Sequence, residues 1–87
     1  MWSKNHKAIT SAERAHLQKV KNLPCSVCNA PPVCEAHHIK QQSHFTTVAL
    51  CKGCHNSLHG TKDIWRVYKM DELDALAVTI QRVIANT

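Results

Sequence analysis

Residues 25–60 read CSVCNAPPVCEAHHIKQQSHFTTVALCKGCHNSLHG, and this stretch decides the fold. It holds two Cys-x-x-Cys pairs, Cys25/Cys28 and Cys51/Cys54, with 22 residues between them. Each pair sets two sulfurs on one side of a tight turn. Two such turns facing each other make the tetrahedral four-thiolate site that zinc takes with sulfurs at about 2.3 Å. A lone Cys-x-x-Cys also suits a redox dithiol, but two pairs point to a metal. A closed four-cysteine site keeps no open position, so its expected role is structural. Cys34 is left over, as a small buried filler or as a substitute for Cys28 among the ligands.

Histidines crowd the same stretch. His55 follows Cys54 directly and His59 comes four residues later, in a segment that reads as helical from Cys51 to His59. Residues i and i+4 share a helix face, so the two imidazoles can hold one ion together. A third ligand must come from elsewhere, and His37-His38 is the obvious donor. Three imidazoles with an open position is a pattern in which a metal activates chemistry. Strand character appears over 36–39 and 46–50, where Thr47, Val48 and Leu50 are good strand formers. Residues 40–45 would connect the two strands.

Outward from this stretch, Thr10 and Glu13 form a capping-box pattern. It opens a helix whose apolar face would carry Ala12, Ala15, Leu17, Val20 and Leu23 and which Pro24 ends. His16 falls in that face and reads as a packed core histidine. Thr61 can cap a short helix through Met70, burying part of Ile64, Trp65, Val67 and Tyr68. Asp71 caps the last helix, with Glu72 and Asp74 in its first turn and an expected core stripe of Leu73, Leu76, Ala77, Ile80, Val83 and Ile84. Residues 1–9 are polar and aperiodic, and read as a mobile arm.

Composition bounds the function. The 87 residues suffice for one domain with a small core, and such a chain buries only about 60% of its unfolded surface, so a metal staple is expected. The net charge is +5. Its excess lies in residues 1–24, which hold five basic residues and one acidic. That suits a polyanion such as nucleic acid. Four aromatic residues are too few for base stacking to dominate. The 5 cysteines are an odd number, and no leader-like apolar run is present. A reducing, cytoplasmic compartment is therefore the expectation. No stretch approaches the ~20 apolar residues of a membrane span.

The pattern C-x-x-C … H-H-I … L-C-x-x-C-H-x-x-x-H resembles the HNH endonucleases, which have the ββα-metal fold. The matching residues are Cys25, Cys28, His37-His38-Ile39, Leu50-Cys51, Cys54-His55 and His59. Glu13-Arg14-Ala15-His16, Val20, Glu35-Ala36, Ser43-His44, Gly60 and Trp65 extend the likeness to small phage nucleases of the recombination-enhancement (Ref-like) group. The resemblance implies a small α+β domain over 1–87. Its ββα-metal finger carries a four-cysteine zinc site and is flanked by an N-terminal helix and C-terminal helices.

It further implies a DNA endonuclease, phage- or prophage-encoded and acting in the bacterial host, with a RecA-type recombinase as a possible partner. His37, His55 and His59 would hold a catalytic divalent ion (Zn2+, Ni2+, Mn2+ or Mg2+), and His38 would be the general base. The family's middle Asn, which orients that base, is replaced here by Thr46; His44 is the other candidate for assisting, or for touching phosphate. Lys4, Lys7, Lys40, Lys52 and Lys62 are candidate phosphate contacts. Two rivals remain, a non-catalytic zinc-ribbon DNA-binding module and a zinc-stabilised adaptor that presents its C-terminal helix. Both need only the four cysteines.

Adjacent strand residues point to opposite faces. For His37 and His38 both to serve one site, the strand must bend or end there.

Overall fold

A computed structural model describes residues 9–41, 43–60 and 63–86. Most of the expected arm, with Lys4 and Lys7, lies outside them, as do Thr61 and Lys62. The elements run α1 (Ser11–Lys21), β1 (Glu35–His38), β2 (Thr47–Leu50), α2 (Lys52–His59), α3 (Asp63–Tyr68) and α4 (Glu72–Ala85). The result is a small α+β fold around a two-stranded antiparallel sheet. Among the described residues no helix is long and apolar enough to cross a membrane.

The caps form as the sequence indicates. Thr10 Oγ1 accepts from the Glu13 N–H at 3.1 Å, and Glu13 Oε1 accepts from the Thr10 N–H at 2.8 Å. Asp71 and Asp74 form the equivalent box at the start of α4. These pairs satisfy backbone donors that helix starts leave without partners.

Ala36 pairs with Ala49 and His37 with Val48 in the hairpin. Every residue of β2 is buried, so its burial does not alternate. The reason is that β2 runs through the centre of the molecule, packed by α4, α1 and α2. Around it lie Val20 of α1, Leu23 just beyond that helix, Cys25, Cys34, Cys54, Leu58, Ile64 and Ala75. Cys34 is thus a core filler, as one of its two readings had it.

The free edge of β2 is satisfied by other elements. The Ser26 N–H donates to the Ala49 carbonyl at 2.8 Å. The Ala49 N–H donates to Thr79 Oγ1 at 3.3 Å. Thr79 in turn donates to the Ala75 carbonyl at 2.9 Å, which leaves Ser26 Oγ, 2.7 Å away, as a donor to it. This hydroxyl therefore gives one hydrogen bond and takes two, the full capacity of the group.

That network explains why α4 is rotated from the expected orientation, so that of the expected stripe Leu76, Ile80 and Val83 are half-buried while Ala77 is exposed. Ala75 and Thr79 are buried, with Leu76 and Val83 packed beside them, while Leu73 and Ile84 are 68% and 69% exposed. A buried strand edge must find hydrogen-bond partners, and this outweighs the apolar area of two leucine-sized side chains. In α1 the buried face carries Glu13 and Val20, with His16 and Leu17 half-buried; Ala12 and Ala15 are exposed. The alanines offer too little apolar area to set the rotation. Ile64 is buried and Trp65 half-buried in α3, whereas Val67 and Tyr68 face outward.

Replacing Thr79 by Val, its near-isostere, leaves the Ala49 N–H and the Ser26 hydroxyl buried without this partner. Urea unfolding should show a loss of about 1–3 kcal/mol. A loss below a few tenths would mean that the hydroxyl is not what joins α4 to β2.

Candidate metal centres

The two Cys-x-x-Cys turns bracket the hairpin and meet at its base. Asn29, at φ 64°, takes the left-handed conformation that closes the first turn, and its N–H donates to the Cys25 carbonyl at 2.9 Å. Cys51 caps α2, its sulfur accepting from the Cys54 N–H at 3.4 Å. The sulfurs of Cys25, Cys28, Cys51 and Cys54 all lie within 4.8 Å of one another. Cys28 Sγ and Cys51 Sγ are 3.6 Å apart. Sulfurs on a tetrahedral zinc at about 2.3 Å stand about 3.8 Å from each other, so this set could hold that ion.

The acidities fit a site built for a cation. Burial pushes the Cys28 and Cys54 thiols up, and at Cys54 the neighbouring sulfurs add to it. Burial, then repulsion from the other sulfurs, holds Cys34 at about 11. Burial also opposes ionisation at Cys25, but backbone N–H groups of Cys28, Cys51 and Val27 outweigh it and bring that thiol to about 7. Four thiolates cannot share so small a volume without a positive charge among them.

The histidine cluster is built from β1 and α2. Cys54 and Leu58 anchor α2 in the core, which turns His55 and His59 along the adjacent face toward β1. His37, 8% exposed, points at them from the strand. Ring centroids are 5.2 Å apart for His37 and His55, 5.7 Å for His37 and His59, and 4.7 Å for His55 and His59. One nitrogen from each lies within 4.8 Å of the other two. The Nε2 atoms of His55 and His59 are 3.1 Å apart, the spacing of neighbouring imidazole ligands at about 2.0–2.1 Å from one ion.

Two carboxylates adjoin the cluster. Glu35 Oε1 is 2.7 Å from Nδ1 of His55, and Glu72 Oε2 is 2.8 Å from Nε2 of His37. A cavity of about 260 Å³ opens beside it, lined by His37, Leu58, His59, Trp65 and Glu72. Sequence reasoning assigned neither carboxylate a role here. Glu35 had a signal, because it lies two residues before His37 and so on the same strand face.

β1 ends at His38, although the Ile39 N–H still donates to the Thr46 carbonyl at 3.0 Å, and the two histidines of the pair turn to different neighbours. His37 faces α2 while His38 turns to the connecting loop, its Nε2 2.9 Å from Nδ1 of His44. The Thr46 hydroxyl donates elsewhere, to the Ser43 carbonyl at 3.4 Å. Burial, then the neighbouring His44 and His37, holds the His38 imidazole below its usual value of 6.5. Lys40 and Lys52 are exposed. His16 is half-buried outside both clusters, its ring 5.2 Å from that of Phe45, in keeping with a packed histidine.

Comparison of the chain with family models, with curated proteins and with solved structures finds no match in any of the three.

Stripping zinc with a strong chelator should collapse the helical circular-dichroism signal, and Cys25→Ser should have the same effect. Metal binding to such a site contributes directly to folding free energy, about 10 kcal/mol or more in small zinc domains. Full helicity in metal-free protein would contradict a structural role for the cysteines.

Proposed function

We propose that this chain is a metal-dependent DNA endonuclease of the HNH type. It would hydrolyse phosphodiester bonds with one catalytic divalent ion and a histidine general base. The observation that carries the reading is the convergence of His37, His55 and His59, with the next residue of the strand, His38, paired to His44. Zinc on the four cysteines would be structural, since all four sulfurs converge and leave no open position.

The protein's own groups divide the work. His37, His55 and His59 would hold the ion, which when bound supplies Lewis-acid stabilisation of charge on the phosphate and the leaving oxygen. His38 would accept a proton from the attacking water, a task suited to an imidazole that is neutral near pH 7. His44, its Nδ1 2.9 Å from Nε2 of His38, would hold the base ring in place. That contact would suit His44 to the orienting role for which Thr46 was the first candidate. Glu35 would keep the proton of His55 on Nδ1, so that Nε2 faces the ion.

Lys40 and Lys52, both exposed, would grip phosphates, and the +5 net charge favours DNA. Little in this arrangement reads bases, so cleavage of low sequence specificity is expected. The five cysteines, none of them in a disulfide, suit the cytoplasm of a bacterial host. Phage origin and a RecA-type partner rest on resemblance alone.

Plasmid nicking combined with metal analysis tests the reading. His38→Ala should abolish nicking and leave two metals per chain, whereas His59→Ala should lose both activity and the second metal. His44→Ala should slow nicking about 10- to 100-fold, as expected for a loosened base. One metal per chain in the wild type, with DNA binding and no nicking, would favour the zinc-ribbon module.

The pH profile gives a separate check. The base works when neutral, and burial with its histidine neighbours lowers its pKa; a bound cation shifts it the same way. The acidic limb of kcat/KM should therefore fall below pH 6.5. A limb at or above that value would count against His38 as the base.

A further inference from the structure

Glu72 is the first residue of α4, and it meets the histidine cluster across 35 positions of sequence. A carboxylate accepts hydrogen bonds and gives none, and a neutral imidazole carries its proton on one nitrogen only. With Glu72 Oε2 2.8 Å from Nε2 of His37, the proton belongs on Nε2 and the lone pair on Nδ1. The same logic at His55, through Glu35, leaves its lone pair on Nε2, the nitrogen 3.1 Å from His59.

Two of the three histidines therefore have a carboxylate that sets their tautomer. One carboxylate comes from β1, the other from a helix outside the hairpin and α2. Glu72 does not belong to the trio whose ligand atoms lie within 4.8 Å of one another. It stands on a firm base, between the Asp71–Asp74 capping box and the buried Ala75 and Thr79.

We infer that Glu72 is a positioning residue of the histidine centre: by holding Nε2–H of His37 it aims Nδ1 at the metal ion and makes α4 part of that site. The inference rests on the reading that His37, His55 and His59 hold a divalent ion. It assigns α4 a role in metal affinity beyond packing under the sheet. Removing such a partner costs a metal site about 10- to 100-fold in affinity, because the imidazole is then free to rotate and to change tautomer.

The test is a Co2+ titration of the full chain carrying one equivalent of zinc, followed by visible absorption, for wild type, Glu72→Ala, Glu72→Gln and His55→Ala. Glu72→Ala should weaken Co2+ binding about 10- to 100-fold. Glu72→Gln should weaken it less, because the amide oxygen still accepts from His37. The absorption band at saturation should match wild type in both, since the ligands are the same. Thermal melting with only the one zinc bound should be unchanged, which separates orientation of His37 from a loss of fold.

Unaltered affinity in Glu72→Ala, or equal weakening by both Glu72 variants, would overturn the inference. So would a shifted band at saturation, which would make Glu72 a ligand. If wild type takes up no Co2+ beyond the zinc site and matches His55→Ala, the histidine-centre reading itself fails. Metal uptake that is lost in His55→Ala but intact in Glu72→Ala would sink only the role of Glu72.

Discussion

Four sulfurs crowded within 4.8 Å are the constraint on which the rest of this small fold depends. Without a cation they repel as thiolates and satisfy little as thiols. Their convergence brings together two turns separated by 22 residues, and everything between them must form a closed excursion. The hairpin Glu35–Leu50 is that excursion, and α2 begins at the last turn. Because His55 follows Cys54 directly, the position of the cysteine cluster sets the position of the histidine cluster to within one residue of helix.

A second constraint is the edge of β2. A two-stranded sheet leaves an edge open on each strand, and here β2 is buried, so water cannot serve its edge. Ser26 from the first cysteine turn and Thr79 from α4 take that place. Arg82 strengthens the same junction, donating to the carbonyls of Pro24 and Cys25 and to Asn29 Oδ1. The first cysteine turn, the central strand and the last helix are thus joined by hydrogen bonds as well as by apolar packing. This matters for chemistry because the helix so held also carries Glu72, which touches His37.

The histidine cluster shows how little an imidazole's identity says about its work. His16, His37 and His38 are all at least half-buried. His16 packs on Phe45, His37 joins the trio, and His38 pairs with His44. The polar partner separates them. His37 has a carboxylate and His38 has a second imidazole, while Nε2 of His16 is buried with no hydrogen-bond partner among the described residues.

What was legible in the sequence is whatever short-range geometry dictates. Cys-x-x-Cys turns, the i, i+4 pair His55/His59, the two strands, the Thr10–Glu13 capping box and the Asp71 cap depend on neighbours within a few residues, and they appear within a residue of where the spacing puts them. Which face each flanking helix buries was not legible. The apolar count favoured Leu73 and Ile84, but the outcome turned on a hydroxyl, Thr79, that β2 needs from 30 residues away. The same holds for Glu72 against His37 and for which of two candidates, His44 or Thr46, meets the His38 ring. Each is a contact between elements, decided by where packing brings a donor to an acceptor. No local periodicity encodes that meeting, because it exists only once the strand, the loop and the last helix are assembled.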